Sequence, residues 1–307
     1  MRRQIIVVVA GTVLAALVLL AKPPIYIVHL LLVISMYITM ASAWNFLGGF
    51  TGYPSFGHGA FFGVGAYTTA ILFRDFGLSP FLTAPLGGLI AAVLAAAVGY
   101  PTLRLREEYF AIATMSLGFI FQLIARNWQF TGGGLGLYVQ PPESYDVRTI
   151  KSLLYLAMLT VMLATLLVAV WIRQSRLGYG LAAIRDSEDA AGTLGVPTIR
   201  LKMRALMLST FFPGVAGGLW AYYITYIDAE AVFEPAISIN VILMTILGGA
   251  GTVLGPVLGA ALLVLLSEII ELTITGSVKL VLFGAILMIV VRYLPAGLLG
   301  RWKHRAG

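Results

Sequence analysis

Apolar runs of membrane length recur along this chain, separated by short stretches rich in charge, glycine or proline. They predict spans near 4–21, 25–47, 56–73, 80–99 and 109–126, then 151–172, 205–227, 237–249, 255–270 and 278–294. A hydrocarbon core of about 30 Å needs roughly 20 apolar residues of helix. The pattern therefore reads as an all-α integral membrane protein, a polytopic helical bundle of about ten spans in one transmembrane domain over residues 1–307. The third and eighth spans are short or glycine-interrupted and are expected to be broken or re-entrant, which lipid tolerates only where protein surrounds the freed backbone.

Two connections are long. Residues 127–150, NWQFTGGGLGLYVQPPESYDVRTI, carry Gly132, Gly133, Gly134 and Gly136 and then Pro141 and Pro142, and predict turns. Residues 173–204, RQSRLGYGLAAIRDSEDAAGTLGVPTIRLKMR, predict helix between the glycines, with Leu181, Ile184, Ala191, Leu194 and Val196 as an apolar stripe.

Composition narrows the picture. The chain is 60% hydrophobic and 11% charged, with a mean hydropathy of +0.95, against roughly 25% charged residues in soluble domains. No stretch remains for a sizeable soluble domain. Cysteine is absent, which excludes disulfides and thiolate chemistry. The net charge of +7 is better explained by basic residues flanking membrane spans than by a nucleic-acid footprint. With both termini inside, fourteen basic residues, among them Arg2, Arg3, Arg104, Arg106, Arg173, Arg185, Lys202 and Arg301, fall on the inner side. Six, namely Lys22, Arg74, Arg126, Arg148, Lys151 and Lys279, fall outside. The opening MRRQIIVVVAGTVLAALVLLAK lacks a small-x-small cleavage site and predicts an uncleaved first span.

Candidate chemistry is sparse. Gly48 with Gly52, Gly59 with Gly63, Gly214 with Gly218, and Gly251, Gly255 and Gly259 lie four residues apart, a spacing that lets helix backbones approach closely. TGYPSFGHG at 51–59 and GGAGTVLGP at 248–256 place flexible backbone at membrane depth. His58 has only His29 and His304 for company, so no metal-ligand cluster forms and no cofactor is expected. Ionisable residues are almost missing from the spans, against a proton relay. No GxxxxGK[ST] loop occurs, so any nucleotide drive must come from a partner at an inner surface. The 173–204 loop is the sizeable candidate. Ser55, His58, Thr114 and Ser116 are candidates for a solute path, with hydroxyls bonded to helix carbonyls as the alternative.

Six segments in order, SAWNFLGGFTGYPSFGHGAFFGVGAY at 42–67, YPTLRLREEYFAIATMSLG at 100–118, TGGGLGL at 131–137, RLGYGLAAIRDSEDAAGTLGV at 176–196, LGGAGTVLGPVLGA at 247–260 and LPAGLLG at 294–300, carry a resemblance. The chain resembles the permease subunits of bacterial ABC importers for branched-chain amino acids, the LivM-type half of the permease pair. The resemblance implies a homologous LivH-type permease subunit, two cytoplasmic ATP-binding subunits, a periplasmic solute-binding protein and an inner-membrane location. It implies no covalent chemistry in this chain. It also implies that a short inner helix with an EAA-then-Gly pattern docks into the ATPase. Ala183, Arg185, Glu188, Asp189, Ala190, Ala191 and Gly195 cover that element, with Asp at the second position where the family has Ala. Gly134, Leu135 and Ala296 also depart from residues common in the family. Urea or short amides are alternative solutes, and a self-contained small-solute channel is an alternative function.

Overall fold

The computed structural model describes residues 2–139, 146–273, 284 and 297–299. The expected tenth span at 278–294, most of LPAGLLG at 294–300, and residues 140–145 of the long outer loop lie outside the described residues. In chain order the helices are α1 (Arg2–Leu17, continued by a 3-10 turn, Val18–Ala21), α2 (Ile25–Thr51), α3 (His58–Phe76), α4 (Pro80–Thr102), α5 (Glu107–Asn127) and α6 (Val147–Gln174). There follow α7 (Arg176–Asp186), α8 (Glu188–Thr193), α9 (Thr198–Ile224), α10 (Ala229–Val232), α11 (Pro235–Gly248) and α12 (Gly255–Thr273).

Each of the first nine expected spans has a helical counterpart. Among the described residues, seven helical segments are long and apolar enough to cross a membrane: α2, α4, α5, α6, α9, α12, and α10 with α11 taken together. The chain is thus an all-helical, multi-pass bundle. Helix α3 falls short of that apolarity because His58, its glycines, Arg74 and Asp75 dilute it, yet most of its length is buried in protein. Its surroundings, not its own composition, make it tolerable at membrane depth.

Helix α9 forms the axis. About 78% of its most apolar stretch lies inside the protein, against 17% for α5, so α5 is peripheral. Close approach at the axis comes from missing side chains. A methyl group at Gly65 on α3 would fall 1.8 Å from the Gly214 carbonyl oxygen on α9, and one at Gly217 would fall 2.0 Å from the Phe62 carbonyl oxygen. On the other side of α9, a methyl at Gly214 would meet the Gly88 Cα of α4 at 2.8 Å. The expected Gly214 and Gly218 pair thus serves helix packing, with Gly218 lying against Thr69 and Ala84.

The connections segregate to two ends. At one end Arg148 donates to the Pro23 carbonyl (3.1 Å) and Arg74 to the Phe130 carbonyl (3.0 Å). There too β1 (Leu137–Tyr138) pairs antiparallel with β2 (Tyr226–Ile227). At the other end the turn after α4 meets α8 and the start of α9. The expected outer loops share the first end and the expected inner loops the second.

One expectation is corrected. The inner loop does not break at Gly178, Gly180 or Gly192, since α7 runs through the first two and α8 includes the third, and only Gly195 marks a turn. The break is at Ser187, whose extended backbone and hydroxyl, accepting from Ala190 N (3.3 Å), start α8 as an N-cap. Gly178 is instead a contact point, where a methyl would fall 2.0 Å from the Ile172 carbonyl oxygen.

Because Gly65 has no room for a methyl, Gly65→Ala is expected to destabilise the chain by about 1–3 kcal/mol through overpacking. Gly118 on α5 meets nothing within 4 Å, so Gly118→Ala is expected to be neutral or stabilising. Thermal unfolding in detergent separates them, and equal melting temperatures would refute the tight α3–α9 contact.

Candidate functional site

The first break, residues 52–57, begins where Gly52 ends α2 at φ +82. None of the six residues is exposed, so their backbone groups need protein partners. They have them. Tyr53 N donates to Thr51 Oγ1 (3.2 Å), Phe56 N to Thr114 Oγ1 (3.0 Å), and Gly57 N to Ser55 Oγ (3.3 Å). Pro54 has no N–H to satisfy. The Ser55 carbonyl accepts from the Trp44 indole (2.8 Å), and just past the break Gly59 N donates to Ser238 Oγ (2.8 Å).

The second break, residues 249–254, joins α11 to α12 and also has no exposed residue. Asn45 on α2, 1% exposed, spans it: Gly251 N donates to Asn45 Oδ1 and Asn45 Nδ2 donates to the Thr252 carbonyl, both at 2.8 Å. Thr252 closes the turn by donating to the Gly249 carbonyl (2.8 Å) and accepting from Gly255 N (3.0 Å). Two adjacent residues of one helix, Trp44 and Asn45, therefore tie down the two broken segments.

The α7–α8 element lies across the same end. Leu181, Ile184 and Ala191 are buried against Phe46, Leu47, Phe50, Tyr53, Leu103 and Val253. Of the expected stripe, Val196 is half-buried and Leu194 is 84% exposed. Leu194 departs because it caps the end of α8, and Gly195 at φ +83 turns the chain away beneath it. Ala183 is half-buried, while Asp189, Ala190 and Gly195 are exposed.

Two side chains bind the element to the bundle. Arg185 Nη1 donates to the Gly49 carbonyl (2.9 Å) at the C-terminal end of α2, beside Gly251, a position that favours a cation. Glu188 turns inward. Its carboxylate lies 2.6 Å from Lys202 Nζ and accepts from the Tyr53 hydroxyl. Lys202 is 1% exposed and donates to the Leu103 carbonyl (3.0 Å), with its ammonium 4.0 Å from the Tyr53 ring centroid. Burial pushes the Glu188 carboxyl up, but hydrogen bonds from Lys202, Tyr53 and Thr198, with the Lys202 charge, outweigh it and hold the group below its ordinary value. Beside this cluster opens a cleft of about 620 Å³ edged by Arg104, Arg106 and Asp189.

Of the four residues proposed for a solute path, three meet at the first break. Ser55 and His58 are fully buried and Thr114 is 3% exposed. The His58 ring faces the backbone of Ser55 and Ser209, with neither nitrogen in hydrogen-bonding geometry. Ser116 stands apart on the exposed face of α5. The two α5 candidates both donate to helix carbonyls, Thr114 to Ala111 (3.0 Å) and Ser116 to Ile112 (3.0 Å). Sequence reading passed over Trp44, Asn45, Tyr53 and Lys202. The signals were an asparagine inside an apolar span and a lysine counted only as a flanking charge.

Membrane-length helices wrapped around two buried, non-helical segments define the class: a multi-pass helical membrane protein whose irregular backbone is enclosed by protein. Residues 26–291 match the family described as the branched-chain amino acid transport system, permease component, and the chain belongs to that family. It is 30% identical over 290 residues to the high-affinity branched-chain amino acid transport system permease protein LivM of Salmonella typhimurium, covering 86% of this chain and 68% of the relative. The LivM protein of Escherichia coli K12 matches at the same identity and coverage. The LivH permease protein of Salmonella typhimurium is 23% identical over 289 residues, covering 87% and 92%. No solved structure matches the chain. The family resemblance read from the six segments is correct.

Asn45→Ala would leave the Gly251 N–H and the Thr252 carbonyl unpaired in a buried turn. A loss of about 1–3 kcal/mol for each abandoned group is expected, read as a lower melting temperature. Asn127→Ala, which removes an exposed side chain bonded within its own helix, is expected to melt with the native chain. Equal melting of both variants would show that the second break holds itself.

Proposed function

We propose that this chain is the membrane-spanning permease subunit of an ATP-binding cassette importer, moving branched-chain or related hydrophobic amino acids across a bacterial inner membrane. The solute class is supported by the names of the LivM and LivH relatives. Residues 1–307 act as one permease unit, with 173–204 on the cytoplasmic side, 127–150 on the periplasmic side and both termini cytoplasmic. A homologous LivH-type subunit pairs with it, and the sparsely covered face of α5, which carries Ser116, is the face offered to that subunit. A periplasmic solute-binding protein delivers the solute at the β1–β2 end. Ser55, His58, Thr114 and Ser116 border the path.

The observation that carries the reading is the α7–α8 element. Its apolar side is buried on the bundle, while Asp189, Ala190 and Leu194 remain exposed on its far side. Small and apolar groups beside an acid suit docking into a cleft of an ATP-binding subunit. The sequence has no phosphate-cradling GxxxxGK[ST] loop, so energy arrives through that contact. Ala183, Arg185, Glu188, Asp189, Ala190, Ala191 and Gly195 form the coupling loop, in which Asp189, Ala190 and Gly195 lie on the outward, docking side and Arg185 and Glu188 hold the element to the bundle.

Two measurements test the proposal. Co-purification with a LivH-type permease and two ATP-binding subunits is expected, with ATP hydrolysis stimulated by the loaded binding protein and uptake abolished without nucleotide. Nucleotide-free uptake of urea, amides or amino acids by this chain alone in vesicles would instead identify a self-contained channel. Because the chain has no cysteine, single labels report sidedness cleanly. Cysteine at Leu135, 85% exposed at the β1–β2 end, is expected to react with an impermeant reagent added outside. Cysteine at Ser187 is expected to stay protected. The reverse pattern would invert the topology.

A further inference from the structure

We propose that Glu188, Lys202 and Tyr53 form a positioning latch that carries displacement of α8 into the first broken segment. The Glu188 carboxylate, at the edge of the cleft and 28% exposed, is already engaged within this chain by Lys202 and the Tyr53 hydroxyl. Asp189, next to it and exposed, is the acid presented outward. The inference rests on the reading of α7–α8 as the docking element and assigns separate tasks to two neighbouring carboxylates.

Lys202 is the centre of the latch. It is a buried cation held by Glu188 at the start of α8 (2.6 Å), by the Leu103 carbonyl at the end of α4 (3.0 Å) and by the Tyr53 ring (4.0 Å) in the segment after α2. Removing one partner of such a pair strands the other charge in a low-dielectric site, which is strongly unfavourable. Moving α8 away from α9 therefore either abandons Lys202 or takes Tyr53 along, because the Tyr53 hydroxyl is bonded to the same carboxylate.

Tyr53 is well placed to pass that movement on. It follows Gly52, the left-handed residue at the end of α2, and lies two residues before Ser55, whose carbonyl is tied to Trp44 and which leads into His58 at the start of α3. Its ring also packs edge-on against Phe110 in the first turn of α5 (5.8 Å). A second arm reaches the other break. Arg185 on α7 holds the Gly49 carbonyl and lies against Gly251, whose N–H is bonded to Asn45. The α7–α8 element thus grips both non-helical segments, Glu188 the first and Arg185 the second.

The test begins with the purified chain alone, so it does not depend on any partner. In hydrogen exchange, Glu188→Gln is expected to speed exchange of residues 52–58 at least about tenfold while leaving 249–254 unchanged. Arg185→Gln is expected to do the converse. The conservative variant Glu188→Asp, which keeps the negative charge, is expected to retain protection at 52–58 that Glu188→Gln loses, which a merely space-filling role would not do. Unchanged exchange at 52–58 in Glu188→Gln, or loosening spread evenly over both breaks, overturns the latch. In the assembled transporter, Glu188→Gln is expected to keep ATP-binding subunits attached within about twofold while solute moved per ATP falls at least about tenfold. Asp189→Arg is expected to release those subunits. Loss of attachment in Glu188→Gln, with the transport-to-ATP ratio preserved, also overturns the latch. A native chain that binds no ATP-hydrolysing subunit overturns the docking reading and leaves the exchange result to decide the latch.

Discussion

Backbone amides and carbonyls cannot be left unpaired in hydrocarbon, and among the described residues the backbone leaves the helical state at two buried segments, 52–57 and 249–254. Everything around the two breaks answers that constraint. The C-terminal half of α2 supplies the Trp44 indole to one break and both ends of the Asn45 amide to the other. Thr51, Thr114 and Ser55 side chains accept from the Tyr53, Phe56 and Gly57 N–H groups of the first, and Thr252 folds back on the second. Irregular backbone is thereby held in one conformation rather than left to water. A carbonyl or amide freed from a helix ladder can also exchange partners, which a continuous span does not allow.

The same economy appears at the inner end. A buried lysine is costly unless paired, and Lys202 is paired by a carboxylate from a surface element, a helix-terminal carbonyl and an aromatic face. Arg185 adds a cation at the carbonyl end of α2. These contacts are what make α7 and α8 part of the bundle rather than an appendage. Their apolar undersides pack on the hydrophobic cluster that also contains Phe46, Tyr53 and Val253.

Close packing of α3, α4 and α9 sets where those elements stand. With Gly65, Gly88, Gly214 and Gly217 at the contacts, the backbones approach to distances no side chain permits. That leaves α3 enclosed from His58 to about Ala70, although it is too polar to face lipid along its length. Its N-terminal His58 is held in the interior, and the neighbouring Ser55 and Thr114 are spent on backbone bonds. Peripheral α5 shows the opposite balance, with large apolar side chains such as Ile112, Phe119 and Leu123 on its open face.

Hydrophobic periodicity alone announced nearly every helix, because lipid demands about 20 apolar residues wherever a chain crosses, and that demand is local. It also located both breaks, since Pro54 and the runs of glycine at 248–251 oppose helix whatever lies around them. The four-residue glycine spacings marked close approach without naming the neighbour. Leu181, Ile184 and Ala191 were readable as a buried stripe, but Leu194 was not separable from them until the turn at Gly195 was seen. Which way Glu188 faces could not be read from its neighbours in sequence. It depends on Lys202 fourteen positions on and on Tyr53 far upstream. Asn45 likewise has no meaning apart from Gly251 and Thr252, more than two hundred residues away. Local propensity and the thickness of the membrane wrote the helices into the chain. The pairing of buried polar groups was settled by folding, because each such group takes its partner from whichever distant segment packing brings within reach.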